Sequence, residues 1–244
     1  MAEAIGRPKV AFYARFADGA DAADVLGRAV HAAEGIVAGL DPAIDARLGA
    51  RIVDFPEIAH IRLMAASLPP FDLAFLLVAD DADRGAMEQA AAALADALAD
   101  ALVDREVLVG REVAITTGDG PVFCTMPLRR LPSLDRPGFM QAWFGVHAQL
   151  GVEVPGVRYR QNHVDLAATD ALKARVSGEG ETLDGLAESY FDSIEHGFEI
   201  MSQPSVEIDA IVDEKRFIDH SRSRFAIYDT IWRRGGQATT NPAS

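Results

Sequence analysis

Apolar positions recur along this chain with two periods, and the switches between them mark its elements. Residues 9–16 (KVAFYARF) alternate and predict a strand. Residues 18–21 then open a helix that runs to about residue 38. Asp21 is placed to cap it, and Asp24 sits in the first turn, where the helix dipole favours a carboxylate. A second strand is expected over residues 58–66 and a third across the strongly apolar stretch 71–79. A long Ala- and Leu-rich helix should follow from about 84 to 103, preceded by Asp80, Asp81 and Asp83 in cap and first-turn roles. A fourth strand covers 106–117 (EVLVGREVAITT) and ends at the break Gly118-Asp119-Gly120-Pro121.

The same order then repeats. Residues 122–128 read as a strand, 135–150 as a helix and 157–166 as a strand. A loop rich in glycine and charge at 173–182 leads to a strand over 186–192. A helical region from about 193 to 218 is interrupted by Pro204, and a strand at 224–232 closes the order. Each half reads βαββαβ, the ferredoxin-like supersecondary pattern. The expected fold is therefore α+β: two tandem ferredoxin-like domains, 8–120 and 121–232, packed sheet to sheet into one barrel, a fused version of a common homodimer. A disordered tail is expected over 233–244.

One helix carries an anomaly. Phe139, Trp143, Val146, His147 and Leu150 fall at offsets of 0, 4, 7, 8 and 11, the inward stripe of an amphipathic helix. A histidine thus stands within an apolar face, where burial costs free energy unless the imidazole is hydrogen-bonded or used. The first half offers a contrast. Asp24, Arg28, His31 and Gly35 share one stripe, a polar one, so His31 should face solvent.

Composition narrows the field. The chain has 244 residues, 49% of them apolar, which is ample for a core. Its formal charge of -14 and pI near 4.8 argue against nucleic acid or an anionic membrane surface as a partner. The acidity is concentrated in residues 1–120, with 10 Lys and Arg against 20 Asp and Glu; residues 121–244 have 13 against 17. Cys124 is the only cysteine, so no intrachain disulfide can form and a reduced, cytoplasmic setting is expected. In an alternating apolar strand it reads as a buried thiol. No apolar run approaches the roughly 18 residues that would span a bilayer, and the first nine residues lack a signal-peptide pattern.

Several motifs of the second half resemble the EthD family, a branch of the dimeric α+β-barrel proteins. They are Phe139-x3-Trp143-x3-His147-Ala148, Pro155-Gly156 before Arg158-Tyr159 and Gln161-Asn162, Asp184-Gly185-x-Ala187-Glu188 leading to Phe191-Asp192, and Asp213-Glu214 with Phe217-Ile218-Asp219. The resemblance covers residues 121–232 and implies a pocket between sheet and helices for a small apolar or aromatic molecule. It delivers no single reaction, because related barrels include monooxygenases without cofactors, cyclases, dehydratases and decarboxylases. The first half lacks these motifs, with Gly27 where an aromatic would precede His31, and reads as a degenerate, structural repeat.

His147 leads the candidate chemistry, as a general acid or base or else as a core histidine bonded to a backbone carbonyl. On the following strand Tyr159 and His163 share a face with Val157, Gln161 and Asp165, opposite Arg158, Arg160, Asn162 and Val164. Tyr159 could donate to a developing oxyanion and His163 could shuttle a proton, or the pair could be packing and surface residues. Phe139, Trp143 and Tyr190 would supply apolar walls, and Asn162 would orient a neighbouring side chain. Metal ligation has little support, since His163-x-Asp165 stands without a cysteine pair or a helical His-x3-His. No glycine-rich nucleotide loop appears, so no cofactor is expected. The leading expectation is a cofactor-independent enzyme of lyase, cyclase or dehydratase type acting on a small aromatic or polyketide-like compound. The alternatives are a cofactor-free monooxygenase and a binding or accessory barrel without catalysis. Association into a homodimer stays open.

Overall fold

The structure is a computed structural model and describes residues 6–65, 68–80 and 83–235. Strands β1 (Arg7–Phe16), β2 (Asp45–Arg51), β3 (Leu73–Val78), β4 (Leu102–Ala114), β5 (Val122–Leu128), β6 (Tyr159–Val164), β7 (Gly185–Phe191) and β8 (Ala226–Arg233) form one mixed α+β architecture around a closed barrel. Its order is β1-β3-β2-β8-β5-β7-β6-β4, and every pairing is antiparallel. Strands β1–β4 lie in the order β4-β1-β3-β2, and β5–β8 repeat it as β8-β5-β7-β6. Each strand has two neighbours within the one chain, so the barrel has no free edge.

In β3 and β5 every residue is buried, which is why these two strands read as nearly continuous apolar runs. In β1, Val10, Phe12 and Ala14 face the helices, whereas Lys9, Ala11 and Tyr13 face the barrel interior. That interior holds a buried ion cluster: Lys9 Nζ donates to Glu112 at 3.0 Å and to Glu188 at 2.5 Å. Outside β1–β4 lie helices α1 (Ala22–Ala38) and α3 (Arg84–Ala97), which contact each other and bury Ala29, Ala33, Ala90, Ala91 and Ala95 in one apolar core. Asp21 caps α1 by accepting from Ala23 N, and Asp83 caps α3 by accepting from Gly85 N. Asp80 stands 3.8 Å from Arg7, and Asp81 lies outside the described residues. His31 is exposed on α1.

Three elements differ from the sequence pattern. Where residues 58–66 read as a strand there is instead helix α2 (Ala59–Ala65), with His60 and Met64 buried one turn apart; residue 66 lies outside the described residues. A short apolar run does not distinguish the two periods. The second strand is β2, whose sequence DARLGAR is poor in strand formers. It is held by β3 and β8 on its two sides, and Gly49 leaves room for the Phe123 ring, which a Cβ would meet at 2.5 Å. Helix α6 (Leu166–Arg175), capped by Asp165, occupies residues expected to hold a strand end and part of a loop. Residues 1–5 and 236–244, which include most of the expected tail, lie outside the described residues.

Candidate functional site

A long helical run covers the outer face of β5–β7. It consists of α4 (Arg136–Met140), a π-helical segment Gln141–His147 and α5 (Ala148–Glu153). Asp135 caps it by accepting from Gly138 N at 2.8 Å. In the π segment, hydrogen bonds run from i to i+5, so each turn holds more residues than an α-helical turn. Side chains four apart stay in line there: Phe139 and Trp143 are fully buried and His147 is 7% exposed. Val146, which a regular α-helix would also turn inward, is half exposed. Gly185 of β7 lies directly beneath the Trp143 ring, where a Cβ would collide with it.

A second helical run faces the first: α7 (Ile194–Met201), a π-helical segment Ser205–Ala210 and α8 (Ile211–Glu214). It supplies the carboxylates that stand beside His147. His147 Nδ1–H donates to Asp213 Oδ2 at 3.0 Å, and Arg216 holds the other Asp213 oxygen at 3.1 Å. With Nδ1 protonated, Nε2 keeps its lone pair. Next to it lies Glu214, 2% exposed and ringed by three imidazoles. His60 Nε2 and His220 Nε2 donate to its two oxygens at 3.2 and 3.0 Å, and His147 Nε2 stands 3.9 Å from the oxygen that His60 uses. Burial alone would raise the Glu214 carboxyl; the surrounding imidazoles outweigh it and hold the group well below the usual carboxylate range.

Between the two helical runs and the sheet lies a cavity of about 90 Å³. Its wall is mostly apolar, including Met126, Leu150, Met201 and Phe225, and its polar groups include His60, His147, Tyr159 and Glu214. The Tyr159 hydroxyl accepts from Trp143 Nε1 and from Gln161 Nε2, both at 3.1 Å. Its own hydrogen is therefore left to donate. Burial pushes the phenol well above its ordinary value, so it stays protonated. Cys124 also lines the cavity, and burial pushes its thiol up to about 12, which leaves it an inert apolar wall.

Residues 131–221 match the family model of the EthD domain. The chain carries an EthD domain. His147, Tyr159, Asp213, Glu214 and His220 all lie within it, whereas His60 comes from α2 outside it. No curated protein matches the chain. Among solved structures, an anthrone oxidase-like protein is 10% identical with a TM-score of 0.55, covering 100% of this chain and 98% of its own. A candidate chlorite dismutase (10%, TM-score 0.53) covers 93% of this chain and 95% of its own. A candidate monooxygenase from Lactobacillus acidophilus NCFM (9%, TM-score 0.51) covers 93% and 94%. At such identities the likeness is one of fold.

Around the EthD cavity the structure separates the residues that the sequence grouped. His147 and Tyr159 line it together. Trp143 and Phe139 stack on each other, their ring centroids 5.4 Å apart, and Trp143 reaches the cavity only through its bond to Tyr159. His163 packs against Trp143 and Phe144 instead, and burial, with Arg136 adding to it, pushes it down to about 4. Asn162 and Tyr190 point into the barrel, where Asn162 Nδ2 donates to Leu186 O at 3.0 Å and Tyr190 donates to Glu188 at 3.0 Å. Asp213, Glu214, His220 and His60 were not singled out from the sequence as site residues. The Asp213-Glu214 pair was visible within the family motif, but nothing local ties His60 to it. Among the described residues no group of three or more His, Cys, Asp or Glu is arranged to hold a metal ion, and no helix is long and apolar enough to cross a membrane.

Proposed function

We propose that the cavity of the EthD domain is the active site of an enzyme that moves protons on a compact carbonyl compound. His147 Nε2 is the base, Asp213 fixes its tautomer, and Tyr159 donates to the carbonyl oxygen as negative charge develops there. Trp143 and Gln161 position Tyr159, with Phe139 packed behind Trp143. Residues 8–120 and 121–232 act as two tandem ferredoxin-like units, the first a structural partner for the second. The observation that carries this reading is the His147–Asp213 pair opening on the same cavity as a phenol with an uncommitted hydrogen. The chemistry uses only side chains of this chain. At about 90 Å³ the cavity suits a single ring or a short chain, below the roughly 300–1,000 Å³ of larger ligand sites.

Exchange of the protons beside the carbonyl of 4-hydroxybutan-2-one for deuterium, followed by NMR, tests this reading. The wild-type protein should catalyse it, and His147→Gln should lower the rate about 10²–10⁴-fold. Saturable binding without exchange would make the protein a binding module. Exchange unaffected by His147→Gln would remove that residue from the mechanism.

A further inference from the structure

We infer that His60 is a second acid–base residue of this cavity, and that the site eliminates water from a compact β-hydroxy carbonyl compound. The inference rests on the reading of His147 and Tyr159 given above and extends it to a residue outside the EthD domain. His60 sits on α2, in the half of the chain without the family motifs, yet its ring lines the cavity and is 4% exposed. Its position is fixed from two sides: Nε2 donates to Glu214, and the ring stacks on Phe225 with centroids 5.6 Å apart. Its Nδ1 is buried and has no hydrogen-bond partner. A buried imidazole nitrogen left unpaired costs free energy unless a ligand completes it.

The two histidines are held in complementary ways. His147 is tied through Nδ1 to Asp213 and keeps Nε2 free, while His60 is tied through Nε2 to Glu214 and keeps Nδ1 free. Both approach the same Glu214 oxygen, at 3.9 and 3.2 Å. One carboxylate can therefore balance a positive charge on either ring. Together with the Tyr159 hydroxyl, this gives a carbonyl polariser, a base and an acid around one small apolar space.

That set matches β-elimination. His147 Nε2 takes a proton from the carbon beside the carbonyl, and the freed electron pair forms the new carbon–carbon double bond. The carbon–oxygen bond of the β-hydroxyl breaks, and the departing oxygen takes the Nδ1 proton of protonated His60 to leave as water. His147 ends protonated and His60 neutral, and proton exchange with solvent restores both.

The probe 4-hydroxybutan-2-one reports the two halves of this sequence separately. Deuterium exchange beside the carbonyl needs His147 and Tyr159, whereas formation of methyl vinyl ketone also needs an acid at the hydroxyl. His60→Gln should lower the ratio of elimination to exchange by about 10²-fold. A purely structural role would depress both rates alike, so an unchanged ratio overturns the assignment of His60 and leaves the reading of His147 standing. Absence of both reactions in the wild-type protein overturns that reading, and this inference with it. A measurement on the unaltered protein covers a variant that does not fold. Long-range ¹⁵N–¹H spectra should show His60 Nδ1 moving on addition of 4-hydroxybutan-2-one and staying put with butan-2-one, which lacks the hydroxyl. Equal responses overturn the assignment.

Discussion

Outside strands β1–β4, helices α1 and α3 are regular and bury several alanines in one apolar cluster. Outside β5–β7, both helical runs contain a π-helical segment, and the cavity lies between them, lined by His147 from one segment and by Ser205, Val206 and Ala210 from the other. The sheets beneath repeat one strand order. What distinguishes the two faces is thus the winding of their helices and the size of the residues where they meet. Side chains as small as alanine let α1 and α3 approach closely. The wider π turns place His147 and residues 205, 206 and 210 on the cavity wall, and such segments recur at functional sites.

The contrast can be broken most strongly at Glu214. Glu214→Gln should cost about 3–5 kcal/mol, because it strips the carboxylate from a buried cluster of imidazoles. The folded carboxyl titrates below its ordinary value, so its stabilisation is fully present above about pH 4.3 and is lost as the pH falls through the folded value. Urea unfolding at a series of pH values should show wild type and variant far apart near pH 6 and converging below pH 4. A constant gap would mean the loss is one of packing.

A paired enlargement probes the two faces directly. Ala91→Leu, in the alanine-rich face, should cost about 1–3 kcal/mol through overpacking. Ala187→Leu, on the cavity wall, should cost less than about 1 kcal/mol and abolish reaction of the probe. Equal costs in thermal unfolding would show that the cavity has no slack.

His163 gives a smaller, pH-dependent effect. Its folded value near 4 lies below the ordinary imidazole value of about 6.5, so the unfolded chain binds its proton first. Stability should fall as the pH drops from about 6.5 to 4, and His163→Phe should recover about 1–2 kcal/mol of that loss, a figure discounted for partial exposure. The smallest effect belongs to the first face. His31→Ala should leave stability within about 0.5 kcal/mol and the reaction unchanged.

The same contrast explains what could be read from the sequence. The alternation in β1, β5 and β6 fixed which side chains enter the barrel, so Tyr159 and Gln161 parted from Arg160 and Asn162 as expected. Burial of His147 and exposure of His31 followed from helical offsets alone. Strand β2 was hidden because DARLGAR has little strand propensity of its own, and its pairing comes from neighbours far along the chain. The π segments were hidden too, since packing and not local propensity selects them, and with them the outward turn of Val146. His60 left no local mark. It joins the site only because the chain between β2 and β3 crosses to the second face.

Closure of all eight strands within one polypeptide has a consequence for how such a barrel can be altered. A barrel assembled from two identical chains inherits every substitution twice, so whatever hollows one side hollows the other. Here a change at residue 147 has no copy elsewhere, and a change at residue 91 leaves the opposite side as it was. Each side can be redesigned singly, with a reaction chamber enlarged on one while the other is stiffened to hold it in shape.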